Sequence, residues 1–192
     1  MLGTRDRILA AAKEMVVTDG SQAVSMRKIG AIVGVTPMAV YRHFPNREAL
    51  LDAVADECFT ETAAKWATVR LPDDILEGSK VIVDLFVDVA LESPGLFSFM
   101  FIEERQGARR FPDDFQTGES PTFELLGGHV AAAIADGRLR PIEHWRIALA
   151  YTALIHGLTQ MYIGGRINLS GDDFRQLCHD NTELLVNGLA PR

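Results

Sequence analysis

Apolar side chains recur along this chain at three- and four-residue spacing, between short runs rich in glycine and proline. No segment alternates apolar and polar residues as a half-buried strand does. Ile8, Leu9, Ala12, Met15 and Val16 fall on one face of a helix that follows Gly3-Thr4 and ends at Asp19-Gly20. Ser25 is placed to cap a helix over 26–33, and Gly34 to supply a sharp turn. Thr36 caps the next helix, with Pro37 at the first position, where a missing N–H costs nothing. That helix runs to about His43, Pro45-Asn46 breaks the chain, and Asn46 caps a longer helix over 47–69. Further helices are predicted over 73–92, 94–105, 121–136, 142–163 and 172–188. The expectation is an all-α fold of about nine helices. The stretch 107–118, with its Gly, Pro and opposed charges, is expected as a mobile loop.

At 192 residues the chain has room for a small domain joined to a larger one, and 47% hydrophobic content argues against disorder. The net charge of −7 taken whole argues against a polyanionic partner. The charge is unevenly divided, however. Residues 1–50 hold seven basic and four acidic side chains, net +3, and residues 51–192 hold twelve and 22, net −10. Cys58 and Cys178 stand far apart and outside any zinc-ligand spacing, so a disulfide scaffold and a metal site are both disfavoured. The polar Met1-to-Arg7 start lacks the pattern of a signal segment. The most apolar stretch, 147–163, is interrupted by His156, Gly157, Thr159 and Gln160, short of the roughly 20 apolar residues a spanning helix needs. These features lead us to expect a cytoplasmic protein with no membrane partner.

Residues 25–44 have the form helix, glycine turn, helix. Ile29, Ile32 or Val33, Val35, Val40 and Phe44 are available to pack between the two arms. That is the pattern of a helix-turn-helix, whose second helix enters the DNA major groove while the first crosses the backbone. The run Gly34-Val35-Thr36-Pro37-Met38-Ala39-Val40-Tyr41-Arg42-His43-Phe44-Pro45-Asn46-Arg47-Glu48-Ala49-Leu50-Leu51 follows Thr4-Arg5-Asp6-Arg7-Ile8-Leu9 and Val24-Ser25-Met26-Arg27-Lys28-Ile29. Together these resemble the DNA-binding domain of the TetR family of bacterial transcriptional regulators. Gly30 departs from the alanine usual there. A glycine inside a helix costs roughly 1 kcal/mol against alanine, so this helix is either less stable or packed unusually close.

The resemblance implies a role for each matching residue. Tyr41, His43 and Arg47 would contact phosphates, Arg47 beside a helix N-terminus, and the caps Ser25 and Thr36 would bring backbone amides to the same backbone. Base reading would fall to Arg27, Pro37, Met38 and Arg42. Arginine pairs bidentately with guanine, whereas Pro and Met offer apolar contact suited to a thymine methyl. For Arg42 and Lys28 a solvated helix face competes with DNA contact, and Tyr41 taken alone would also suit a core.

The family binds DNA as dimers, which places paired recognition helices about 34 Å apart. The last two predicted helices are the candidates to hold that spacing. His156, Gly157, Gln160 and Ile163 on one, and Leu177 and Leu184 on the other, are the expected interface residues of a four-helix bundle formed by two copies. For His156 a satisfied core or interface position is preferred to a ligand role. Asp136-Gly137-Arg138-Leu139, Ile155-His156-Gly157-Leu158-Thr159 and Ser93-Pro94-Gly95-Leu96-Phe97 resemble a C-terminal subgroup of the same family. The middle helices would enclose an effector pocket, with Phe86, Phe97, Met100, Phe101, Phe123, Leu126, Trp145 and Tyr151 as lining candidates. Any one of these is more often plain core. Glu103, Glu104, Arg109 and Arg110 are expected as solvated charges near the loop.

The expectation is therefore a helix-turn-helix domain over 1–47 and a ligand-binding and dimerisation domain over 48–192. The chain would be a ligand-responsive regulator, foremost a repressor, released from a palindromic operator on double-stranded DNA by a small apolar effector. An activator or co-regulator of the same fold is the alternative, and a member that only dimerises is a further rival. No nucleotide-binding glycine loop, nucleophile elbow or zinc-protease motif occurs, so no catalytic residues, cofactor or metal are expected.

Overall fold

The computed structural model of the chain describes residues 3–116 and 120–191, without the side chains of Gln116 and Pro121. Among these residues there are no strands. Ten α-helices occur, with one 3-10 turn at Ser21–Ala23: α1 (Thr4–Asp19), α2 (Met26–Val33), α3 (Pro37–His43), α4 (Arg47–Trp66), α5 (Ile75–Glu92), α6 (Pro94–Phe101), α7 (Asp113–Gln116), α8 (Pro121–Ala135), α9 (His144–Ile163) and α10 (Gly171–Leu189). Nine match the expected segments. The tenth, α7, falls in the stretch expected to be a loop, because one helical turn is too short for an apolar period to show. Residues 117 and 118 of that expected loop, and Met1 and Leu2 of the N-terminal segment, lie outside the described residues.

The chain packs as two compact units. The first takes the chain up to Glu61 together with Ser93–Ala108, and the second takes Thr62–Glu92 with the chain from Arg109 onward. Packing therefore divides the chain differently from the division by role at 47 and 48, since α6 and most of α4 share the core of the first unit. That core forms where the apolar stripe of α1 (Ile8, Leu9, Ala12, Met15, Val16) meets Ile29, Val33, Val40 and Phe44. Leu50, Val54, Ala55 and Cys58 from α4, and Phe99 and Met100 from α6, complete it. Each fully buried large apolar side chain contributes about 1.5–3 kcal/mol.

The join between α2 and α3 is tight. Gly34 ends α2 with φ 75°, a left-handed conformation that suits glycine. The Val35 amide donates back to the Gly30 carbonyl at 2.8 Å. A Cβ on Gly30 would stand 2.9 Å from the Val35 carbonyl oxygen and 3.5 Å from a Val40 methyl. The residue is thus glycine for close packing, the second of the two explanations for its departure from alanine. Ser25 Oγ accepts from the Lys28 amide and Thr36 Oγ1 from the Ala39 amide, each at 3.2 Å, so both caps form as the sequence predicts. Of the alternatives Ile32 and Val33, it is Val33 that packs inward, and Ile32 is 60% exposed.

In the second unit, α5, α8, α9 and α10 pack together. Ile147, Tyr151, Ile155 and Thr159 line the buried face of α9, and Phe174, Cys178, Thr182 and Val186 that of α10, each at the four-residue spacing of a single helical ridge. Arg175 on α10 ties down α5 through Asp84 at 2.9 Å and Asp88 at 2.6 Å, and His179 Nε2 reaches Asp84 at 2.8 Å.

Gly30→Ala gains about 1 kcal/mol of helix propensity but forces the turn outward, an overpacking cost of about 1–3 kcal/mol. The expected result is a net loss of about 1 kcal/mol, read as a lower urea midpoint at unchanged slope.

Candidate nucleic-acid interface and effector cavity

Met38, Tyr41 and Arg42 share one face of α3 at i, i+3 and i+4, and all three point to solvent, Met38 at 67% and Tyr41 at 47% exposure. The opposite side carries the buried Val40. Pro37, His43 and Thr36 are also exposed, and so is Arg27 in the first turn of α2, next to the half-buried cap Ser25. The first-turn amides of α2 have no intrahelical acceptor, and a helix start of this kind attracts phosphate.

Most other basic side chains of residues 1–50 hold the fold together. Arg7 Nη2 donates to the Val33 carbonyl at the end of α2, and the Arg5 guanidinium lies 5.1 Å from the centre of the Phe44 ring. Lys13 pairs with Glu57 and Glu61, and Lys28 Nζ donates to the Ala23 carbonyl at 3.3 Å. The expectation for Arg47 changes most. Its Nε donates to the Val24 carbonyl at 2.9 Å and its Nη2 to the Ser21 carbonyl at 2.7 Å, in a half-buried setting. This guanidinium satisfies two backbone oxygens in the segment leading into α2, a bracing role that the sequence did not suggest. Arg27 and Arg42 are the exposed arginines on the α2–α3 surface.

The second unit holds a small cavity between α5, α8 and α9, lined by Ser79, Ile82, Val83, Phe86, Leu126, Tyr151, Thr152, Ile155 and His156. The space open to the centre of a water-sized molecule is about 10 Å³, room for roughly one water. Of the eight expected lining residues, Phe86, Leu126 and Tyr151 meet there. Trp145 and Phe123 belong instead to an aromatic chain, Trp145 packing on Phe111 at 5.5 Å and Phe123 on Phe115 at 5.0 Å between ring centres. Phe97, Met100 and Phe101 sit on α6 in the first unit, where Met100 and Phe101 join the core of that unit and Phe97 packs on Phe101 at 5.0 Å. Helical periodicity marks a face as apolar without specifying its neighbour, so these clusters looked alike in sequence. The same limit hid Ile82, Val83, Thr152 and Ile155, although each lies one helical turn or less from a residue that was picked.

The polar groups of the cavity are neutral. Ser79 Oγ donates to Tyr151 Oη at 3.4 Å, and burial raises the Tyr151 pKa. His156 packs edge-on against Phe86 with 5.5 Å between ring centres, and burial lowers its pKa to about 4, leaving the imidazole uncharged near neutral pH. His156, expected at an interface or core position, stands in the cavity wall. The other interface candidates lie on the outer faces of α9 and α10. Gly157 and Gln160 are exposed, Ile163 and Leu177 half-buried, and Leu184 71% exposed. A side chain added at Gly157 would meet nothing within 4 Å.

Among the described residues, no three His, Cys, Asp or Glu side chains are grouped to hold a metal ion, and no helix is long and apolar enough to cross a membrane.

The description "Bacterial regulatory proteins, tetR family" matches residues 8–54, and "Tetracyclin repressor-like, C-terminal domain" matches residues 82–183. The nucleoid occlusion factor SlmA of Edwardsiella ictaluri is 30% identical over 140 residues, covering 71% of this chain and 68% of that protein. A solved protein of unknown function from Rhodococcus sp. RHA1 superposes with TM-score 0.79 at 25% identity, covering 100% of this chain and 97% of that one. A TetR-family transcriptional regulator from Pectobacterium atrosepticum has the same fold, with TM-score 0.72 at 20% identity over 98% of this chain and 95% of that one.

Two outcomes follow from this geometry. Arg47→Ala removes two hydrogen bonds from a charged donor and leaves two carbonyls without them, so unfolding stability is expected to drop by about 2 kcal/mol. Between pH 6.5 and about 4, an unfolded chain takes up a proton that native His156 refuses. Stability is therefore expected to be fully present above this window and to fall as pH drops through it, by at most about 1.4 kcal/mol per pH unit from this group. Denaturation at several pH values checks the sign, and His156→Leu should flatten the slope.

Proposed function

This chain belongs to the tetR family of bacterial regulatory proteins, and on that premise we propose that it is a ligand-responsive repressor that grips a palindromic operator as a homodimer. The observation that carries this proposal is the outward face of α3, where Met38, Tyr41 and Arg42 stand exposed beside Arg27 at the start of α2. In this reading Tyr41 and His43 bond phosphates, with amides near the Ser25 and Thr36 caps in support. Arg27 supplies the main polar base contact, Arg42 a second one, and Pro37 and Met38 contact thymine methyls.

Dimerisation is assigned to the outer faces of α9 and α10, through Gly157, Gln160, Ile163, Leu177 and Leu184. An open glycine lets a partner helix approach closely, and a leucine that is mostly exposed in one copy gains by being covered. The effector is assigned to the cavity containing Phe86, Leu126, Tyr151 and His156, whose lining has no permanently charged group. A small, uncharged, mostly apolar molecule suits its chemistry, and the cavity, with room for about one water as it stands, has to widen as such a ligand enters. Such a ligand acts by binding the DNA-incompetent dimer more tightly than the competent one. The α4 helix contributes residues to both compact units and is the natural carrier of the change.

Two other roles are tested alongside. An activator of the same fold has the same interface and differs in the sign of the transcriptional response. Service in nucleoid occlusion is supported by the 30% identity to a nucleoid occlusion factor. It would leave transcription beside the bound sites unchanged when the protein is removed.

Selection from a pool of random duplexes is expected to recover a palindrome, bound with an affinity that falls steeply as salt rises. On variants of that palindrome, Arg27→Ala is expected to erase about 1–3 kcal/mol of discrimination at one base pair per half-site. Unchanged relative affinities across the variants would remove Arg27 from the base-reading role.

A further inference from the structure

The segment that follows α6 is fastened to the DNA-reading part of the first unit at two points. Ser21 Oγ donates to a carboxylate oxygen of Glu103, although the two residues are 82 positions apart. Ser21 is 2% exposed and Glu103 half-buried, so the serine end of this bond is shielded from water. Two residues further on, Arg105 Nη1 lies 3.7 Å from Asp52 on α4, and Arg105 Nη2 donates to the Met100 carbonyl at 3.3 Å. Just past the second point the backbone runs close to α4, where a Cβ on Gly107 would come within 2.7 Å of the Asp52 carboxyl carbon. The start of the segment is itself set by α6, since the Ile102 and Glu103 amides both donate to the Ser98 carbonyl, at 2.9 and 2.8 Å.

Ser21 is also where Arg47 takes hold. The carbonyl of Ser21 accepts from Arg47 Nη2 at 2.7 Å, and the carbonyl of Val24 accepts from Arg47 Nε at 2.9 Å. Val24 is followed directly by Ser25, the cap of α2, and by Arg27 in its first turn. A continuous chain of hydrogen bonds therefore runs from the end of α6 through Glu103, Ser21 and Arg47 to the start of α2. No member of it lies on the exposed face of α3.

We propose that Glu103 is a positioning residue for DNA recognition, fixing through Ser21 and Arg47 where the first turn of α2 and its Arg27 stand. This rests on the assignment of the α2–α3 surface to DNA. It goes further by giving the end of α6 a say in affinity without touching nucleic acid. A hydrogen bond accepted by a carboxylate is among the stronger kinds, and with its donor hydroxyl buried it holds that donor in a defined place.

The test uses the full-length chain and the tightest duplex recovered from a random pool. Glu103→Ala is expected to weaken binding by about tenfold, the worth of one charge-assisted hydrogen bond. Glu103→Gln, whose amide oxygen still accepts from the serine, is expected to bind within about twofold of the unaltered chain. Ser21→Ala should match Glu103→Ala, and the double variant should be no weaker than either single one. The slope of affinity against salt should be unchanged in all of them, because no phosphate contact is lost. The proposal is overturned if Glu103→Ala binds like the unaltered chain, if Glu103→Gln fails to rescue while melting normally, or if the two single effects add. A chain that selects no duplex at all overturns the DNA-binding assignment, and this proposal with it. Binding that is intact in the unaltered chain and in Glu103→Ala overturns the proposal alone.

Discussion

The approach of α2 to the turn before α3, over a glycine that leaves no space for a methyl group, governs what the first unit presents to its surroundings. With Gly30 against the Val35 carbonyl and Gly34 in a left-handed conformation, the two short helices meet at an angle set by backbone contact. Side-chain packing would allow more latitude. Val40 and Phe44 then turn into the core formed with α1, and Met38, Tyr41 and Arg42 are left facing outward by the geometry of a helix of about 3.6 residues per turn. A surface made this way depends on the rest of the unit to hold it. Neither helix has more than eight residues, and neither would be stable alone in water.

The electrical division of the chain gains meaning from the structure. A net charge of +3 over residues 1–50 suggests a diffuse basic patch, but the basic groups there do two different jobs. Arg7, Lys13, Lys28 and Arg47 bind carbonyls or carboxylates of the chain itself, whereas Arg27 and Arg42 face solvent. The surplus charge still repels cations and attracts phosphate at a distance, because a field does not require a contact. The −10 of the remaining chain works in the opposite sense and disfavours a duplex approaching from any other side.

The fold was readable at the sequence level wherever a local rule decided the outcome. Ser25 and Thr36 cap because a side-chain oxygen three residues before an unpaired amide has an obvious partner. Pro37 starts α3 because the ring forbids it almost anywhere else in a helix. The α7 turn escaped, being a single turn without periodicity. The cavity was half-legible: Phe86, Leu126 and Tyr151 were found, while Met100 and Phe101, equally apolar and equally periodic, belong to a different core. Glu103 was passed over as a solvated charge, since nothing near it in the chain hints at Ser21.

The sequence by itself determined nine of the ten described helices, the caps at Ser25 and Thr36, the breaks and the family to which the chain belongs. These depend on residues within about four positions of one another, the reach of a helical hydrogen bond and of a turn. Only the tertiary structure decided that Arg47 braces the start of α2, that His156 lies uncharged in a cavity wall, and that α6 shares a core with α1. Each of these depends on which apolar face meets which. Apolar attraction is proportional to area and indifferent to partner, so the choice is made by the packing of the whole chain and leaves no local mark in its residues.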